Sequence, residues 1–257
     1  MSLHHRFDGP RDAPVVVLGP SLGTTLDLWS PQLPALTGSW RVLRYDLPGH
    51  GGSPAGPGIT MDDLAAEVLA LLDRHGLGAV AYAGVSLGGA VGTTLAVNAP
   101  DRIGSLVLCC TSARFGPPGG WRERAALVRR EGMGPVAETA AGRWFTPGFP
   151  GAEPYLAMLR GTDPEGYAAC CEALAGFDLR GRLGEVRAPA LVIAGADDPA
   201  TPPEHAEVLA RGIPGARLVV VPGAAHLAGV ERPGAVTSAL AGHLRSTWGP
   251  AEPSPVT

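Results

Sequence analysis

The sequence predicts an α/β fold: a mostly parallel, doubly wound sheet with an all-helical cap inserted between two of its strands. Three observations predict it. Short apolar runs, several of them β-branched, recur along the chain, each the length of a buried strand, and stretches of helical periodicity separate them. The loops between them are short, and strands alternating with helices in this way build a parallel sheet covered on both faces. From 112 to 187 that rhythm stops: no continuous β-branched run occurs, and helical pieces take its place. The expected units are a first core part at 1–111, the helical cap at 112–187, a second core part at 188–248, and a frayed, proline-rich tail at 249–257.

The elements follow in order. Val15-Val16-Val17-Leu18, bounded by Pro14 and Gly19, reads as a buried strand, and the loop Gly19-Pro20-Ser21-Leu22-Gly23 is too glycine-rich to be regular. A short helix is expected near 27–36, on a course left open by Pro31 and Pro34. Arg41 to Asp46 is the next strand, with a turn through His50 behind it. From the N-cap Thr60 to His75 the pattern is helical: Leu64, Val68, Leu71 and Leu72 share a face, acids favour the first half, and Gly76 ends it. Further strands are expected at 79–83, 105–110, 190–194 and 217–221, and further helices at 89–97, 203–211 and 235–246. Within the cap, helices are expected at 121–131, 135–145, 153–160 and 164–175, the last with Asp163 as N-cap and Pro164 at its first position.

One junction carries a chemical signature. Gly84-Val85-Ser86-Leu87-Gly88 lies between the strand at 79–83 and the helix at 89–97. Strand, Gly-x-Ser-x-Gly, helix is the context of a nucleophile elbow, in which a tight turn strains the serine backbone and exposes its hydroxyl. A serine needs a base, and the base needs a third group to hold its tautomer. In a doubly wound sheet such groups lie in loops at the carboxyl ends of strands. Two loops downstream of Ser86 qualify: Gly195–Pro202, with Asp197 and Asp198, and Pro222–His226. The chain order is then Ser86, Asp198, His226. The Gly-x-x-Asp spacing and the prolines behind it favour Asp198 as the third member, with Asp197 as the alternative. An oxyanion would need two backbone donors: Leu87 N–H, and one from the loop after the first strand. Proline has no N–H, so Leu22 is the candidate there, with Ser21 as the second choice. His50, His75, His205 and His243 sit in a turn or on helices and need no catalytic role, and His4 and His5 read as solvated.

Composition excludes several classes. The net charge of −4, without a basic block, argues against a nucleic-acid partner. All twenty basic residues are arginine, which rules out lysine chemistry. No run of about 18 apolar residues is present, so no membrane span is expected, and the polar stretch from Met1 to Pro10 shows no signal peptide, so a cytoplasmic location is expected. The cysteines fall as two adjacent pairs, Cys109-Cys110 and Cys170-Cys171, which suit small buried thiols rather than zinc ligands or disulfides.

The elbow, Gly19–Thr25, Arg44–Gly51 and Gly195–Pro202 resemble marks of the α/β-hydrolase superfamily. Within it the chain is similar to 3-oxoadipate enol-lactonases, enzymes of bacterial aromatic-acid breakdown. Ser21–Thr24, Gly84–Gly89, Arg143-Trp144-Phe145-Thr146-Pro147 and Ala224–Pro233 carry that resemblance. It implies the α/β-hydrolase fold and a small anionic lactone as substrate. Ser86 would attack the lactone carbonyl, His226 would take its proton, Asp198 would steady the imidazolium, and Leu22 and Leu87 would hold the oxyanion. No metal or organic cofactor is called for. The substrate's carboxylate needs a partner, for which Arg143 and Trp144, with Trp121 behind them, are the candidates. A general carboxylesterase or a cofactor-free perhydrolase with the same triad remains open, as does a non-catalytic ligand receptor of the same fold.

Overall fold

The computed structural model describes residues 2–56 and 58–249. Its sheet has seven strands: β1 (His5–Asp8), β2 (Val15–Gly19), β3 (Arg41–Tyr45), β4 (Val80–Val85), β5 (Ile103–Cys109), β6 (Ala190–Gly195) and β7 (Arg217–Val221). They lie in the order β1-β3-β2-β4-β5-β6-β7, parallel throughout except for β1, which runs antiparallel to β3. The order switches direction between β2 and β4, and a crevice opens at their carboxyl ends.

β1 was not legible in the polar terminus. An edge strand needs only a partner for its backbone, and here Leu3 is buried beside it while Phe7 packs onto the core. His4 and His5 are correspondingly less idle than their sequence suggests. His4 Nδ1 lies 2.7 Å from the buried Asp46 carboxylate, and His5 Nε2 lies 2.8 Å from His75 Nε2.

The helices are α1 (Leu33–Leu36), α2 (Met61–Arg74), α3 (Leu87–Asn98), α4 (Pro118–Glu131), α5 (Gly134–Trp144), α6 (Glu153–Arg160), α7 (Pro164–Gly176), α8 (Pro203–Gly212), α9 (Ala228–Glu231) and α10 (Pro233–Thr247). Instead of one helix near 27–36, a 3-10 turn at Leu26–Gln32 precedes a short α1, because Pro31 and Pro34 interrupt the hydrogen-bond ladder. α2 starts with a capping box, Thr60 and Asp63 satisfying each other's backbone N–H groups, and it buries the stripe Leu64, Val68, Leu71 and Leu72. α3 has no such stripe: from Leu87 to Val97 every residue is buried. It is the helix enclosed deepest against the sheet. α2, α3 and α8 form one layer, and α1, α9 and α10 the other. α4 to α7 fall between β5 and β6, with α4 packed along α7 and α5 against α4 and α6. Asp163 caps α7 by accepting the N–H groups of Glu165 and Gly166. Residues 250–257, most of the expected frayed tail, lie outside the described residues.

The β4–α3 junction is supported from below by two buried tyrosines. Tyr82 Oη donates to the Gly88 carbonyl at 2.9 Å and meets Tyr45 Oη at 2.7 Å. Replacing Tyr82 by Phe keeps the ring but leaves the Gly88 carbonyl and the Tyr45 hydroxyl each short of a partner. Tyr82→Phe is therefore expected to destabilise the fold by about 1–3 kcal/mol, read as a lower urea midpoint at unchanged slope.

Candidate active site

Ser86 is built into a backbone that few residues tolerate. It is the residue before α3, with φ 54° and ψ −116°, a conformation that costs about 1–3 kcal/mol for a side chain bearing a Cβ. Its surroundings impose it. The Ser86 N–H donates to Cys109 O at 3.0 Å, and its carbonyl accepts from Thr111 Oγ1 at 2.6 Å and from Ala90 N–H at 3.0 Å. The flanking glycines are obligatory: a Cβ on Gly84 would overlap the Gly88 backbone, and one on Gly88 would overlap the Gly19 carbonyl. Cys110, at the end of β5 on the neighbouring strand, is the other non-glycine residue with positive φ among those described (44°). All four cysteines are free and buried.

The loop after β6 brings Asp198, and not Asp197, to His226. Asp198 Oδ2 accepts from His226 Nδ1 at 2.9 Å and from Thr201 Oγ1 at 2.7 Å, while Oδ1 accepts the N–H groups of Ala200 and Thr201 at 2.8 and 3.0 Å. Asp198 and His226 are 3% and 4% exposed, so neither charge is shared with solvent. Burial pushes the Asp198 carboxyl up, but the His226 charge and the hydrogen bonds from His226 and Thr201 outweigh it and hold the group below its ordinary range. Burial likewise pushes the His226 imidazole down, and the Asp198 carboxylate and its hydrogen bond raise it past that, above its ordinary value of 6.5. The Asp198 contact fixes the tautomer, leaving Nε2 of the neutral ring as an acceptor.

Ser86 and His226 line one cavity of roughly 270 Å³, at the small end of ligand sites. The Ser86 hydroxyl makes no hydrogen bond among the described residues. Ser21 and Leu22 line the same cavity. Around the serine, Gly23 N–H is taken by His50 Nε2 at 2.9 Å and Gly88 N–H by Pro20 O at 3.0 Å. The N–H groups of Leu22 and Leu87 have no partner among the described residues.

The far wall comes from α4, α5 and α7. It carries the three expected residues, Trp121, Arg143 and Trp144, and also Arg124 and Tyr167, which the sequence reading passed over. Trp121 and Arg124 stand three apart on α4, so they share a face. The Arg124 guanidinium lies over the Trp121 ring at 4.7 Å. Arg143 is half-buried, and burial lowers its pKa, as does the nearby Arg124 charge. Neither arginine forms an ion pair among the described residues, and no acid lines the cavity. Two further residues were also missed. Thr201 follows Asp198 by three, the spacing at which its hydroxyl and N–H both reach the carboxylate. Glu231 joins the wall to the His226 loop: Oε1 accepts Thr146 N–H at 2.8 Å and Oε2 accepts Ala225 N–H at 2.6 Å, while Leu227 N–H donates to Trp144 O at 3.0 Å. Among the described residues no group of three or more His, Cys, Asp or Glu side chains could hold a metal ion, and no helix is long and apolar enough to cross a membrane.

Known proteins share this fold and much of the sequence. Residues 14–233 match the family model described as the alpha/beta hydrolase fold. A 3-oxoadipate enol-lactonase 2 from Acinetobacter baylyi is 38% identical, over 93% of this chain and 92% of its own. RutD from Variovorax paradoxus, named as a candidate carbamate hydrolase, is 31% identical over 99% of this chain and 100% of its own. The crystal structure of the enol-lactonase from Burkholderia xenovorans LB400 superposes with a TM-score of 0.91 at 42% identity, covering 94% of this chain and 96% of that one.

The His226 environment sets a titration. Its ring should take a proton with a midpoint above 6.5, and Asp198→Asn should move that midpoint down, since the variant removes the carboxylate that raises it. NMR titration of the imidazole resonances reads both.

Proposed function

This chain belongs to the α/β-hydrolase fold family and is a hydrolase; on that premise we propose that it opens 3-oxoadipate enol-lactone to 3-oxoadipate through an acyl-enzyme on Ser86. One observation carries the reading. A single small cavity joins a serine, an Asp198-paired histidine and two guanidiniums that have no acidic partner among the described residues. That combination suits an ester that also bears a carboxylate.

In this mechanism Ser86 Oγ attacks the lactone carbonyl as His226 Nε2 takes its proton, and Asp198 stabilises the imidazolium that results. Charge develops on the carbonyl oxygen, where the N–H groups of Leu22 and Leu87 receive it; each donor contributes roughly 3–4 kcal/mol to lowering the barrier. The C–O bond to the enol breaks, and because an enolate is a better leaving group than an alkoxide, little acid assistance is needed. The enol ketonises, which draws the step forward. His226 then activates water, whose attack on the acyl group returns Ser86 and completes the dicarboxylate. We take 112–187 as a cap that sets substrate choice over a hydrolytic core formed by 1–111 and 188–248. Arg143 and Arg124 are assigned to the substrate carboxylate, with Trp121 and Trp144 shaping the space beside them. The similarity to RutD supports a second reading, hydrolysis of a small carbamate by the same serine.

Turnover of 3-oxoadipate enol-lactone, followed by loss of its ultraviolet absorbance, tests the proposal. A kcat/KM for the lactone below that for p-nitrophenyl acetate or a simple carbamate would overturn the substrate assignment. Ser86→Ala should lower turnover by at least 10⁴-fold. Arg143→Met and Arg124→Met should each lower kcat/KM for the lactone by about 10- to 100-fold, while leaving the uncharged acetate nearly unaffected.

A further inference from the structure

We infer that His50 is a positioning residue for the oxyanion site, holding the loop that presents Leu22 N–H. The inference rests on the serine-hydrolase reading above and adds to it a residue outside the cavity wall. His50 is 0% exposed and sits in the turn after β3, yet its ring reaches across to the loop after β2. Nδ1 lies 2.9 Å from the Pro48 carbonyl, so the proton resides on Nδ1 and the Nε2 lone pair faces Gly23 N–H, also at 2.9 Å. Burial pushes the ring's pKa down to about 4, which keeps it neutral and Nε2 an acceptor at ordinary pH.

The loop between these contacts has little freedom. The Ser21 carbonyl accepts both Thr24 N–H, at 3.1 Å, and Thr24 Oγ1, at 2.8 Å. Ser21 C=O and Leu22 N–H belong to one planar peptide, so holding the carbonyl aims the N–H the opposite way. His50 holds the next peptide through Gly23 N–H. Together the two fix the backbone on both sides of Leu22. Gly23, at φ +80°, has no room for a side chain: a Cβ there would run into Leu159 of α6. His50 is itself seated by α7. Its ring stacks on Tyr167 with centroids 6.4 Å apart, Asp163 N–H donates to Gly49 O at 2.9 Å, and the Gly49 and Gly166 backbones touch so closely that a Cβ on either would overlap the other. The oxyanion loop thus takes its register from the helix that also lines the substrate cavity.

A buried histidine that served stability alone would affect unfolding and little else. The test separates the two roles. p-Nitrophenyl acetate serves as substrate, so the result does not depend on the lactone assignment, and phenylboronic acid serves as a tetrahedral mimic. His50→Phe keeps the ring volume and removes the acceptor; His50→Asn retains a polar group near Pro48 but is too short to reach Gly23; His50→Gln restores an oxygen near the Nε2 position. In Phe and Asn variants that are folded by circular dichroism, kcat/KM is expected to fall at least tenfold and the boronate inhibition constant to rise by a similar factor, with His50→Gln recovering most of both. Unchanged kinetics and boronate affinity in His50→Asn, or a His50→Gln variant as impaired as His50→Phe, would overturn the inference. Ser86→Ala, run in parallel, reports separately: parental activity in that variant would remove the serine mechanism itself.

Discussion

The structure depends on the closeness with which β4, the Ser86 turn and α3 approach the start of the loop after β2. Ser86 holds its strained backbone through hydrogen bonds to Cys109 of β5, to Thr111 just beyond it and to Ala90 of α3. Gly84 and Gly88 let the backbones pack where any side chain would overlap. The Tyr82–Tyr45 pair then closes the space beneath with hydrogen bonds. The strain at one residue is offset by the burial of α3, every residue of which from Leu87 to Val97 is enclosed. As a result the Ser86 side chain reaches the cavity from the switch point of the sheet, beside Ser21 and Leu22 of the loop after β2.

Everything else about the site is arranged by bringing distant loops to that point. Asp198 and His226 come from adjacent strands, 28 residues apart, and each supplies the other with the charge or hydrogen bond that burial withholds. Glu231 fastens the His226 loop to the end of α5, so the histidine loop and the arginine-bearing wall are joined by direct hydrogen bonds. On the opposite side His50 and Gly49 join the Leu22 loop to α7. The helices between β5 and β6 are thus tied to the loops on both sides of the cavity that they help to line.

How much of this could be read in advance follows from the range of each interaction. Capping by Thr60 and Asp163, the break at Pro31 and Pro34, and the Gly-x-Ser-x-Gly turn are local: partners lie within a few residues, so residue types at fixed spacing reveal them. β1 escaped because its four residues carry no apolar alternation of their own and are held by β3, far along the chain. Arg124 escaped for a similar reason. On α4 it is one of several arginines, and only the packing of α4 against α7 turns it toward Tyr167 and the cavity.

The sequence by itself determined the α/β class, the strained turn at Ser86 and the two strand-end loops that follow it, because such turns and loops demand particular residues where they occur. Only the tertiary structure decided that Asp198 rather than Asp197 meets His226, that His50 is buried against Gly23, and that two arginines share one cavity. These bring together segments that the chain leaves from 19 (Arg124 to Arg143) to 28 (Asp198 to His226) residues apart. Periodicity and spacing describe each segment, while the direction in which a side chain finally points depends on the register and packing of the strands and helices beneath it.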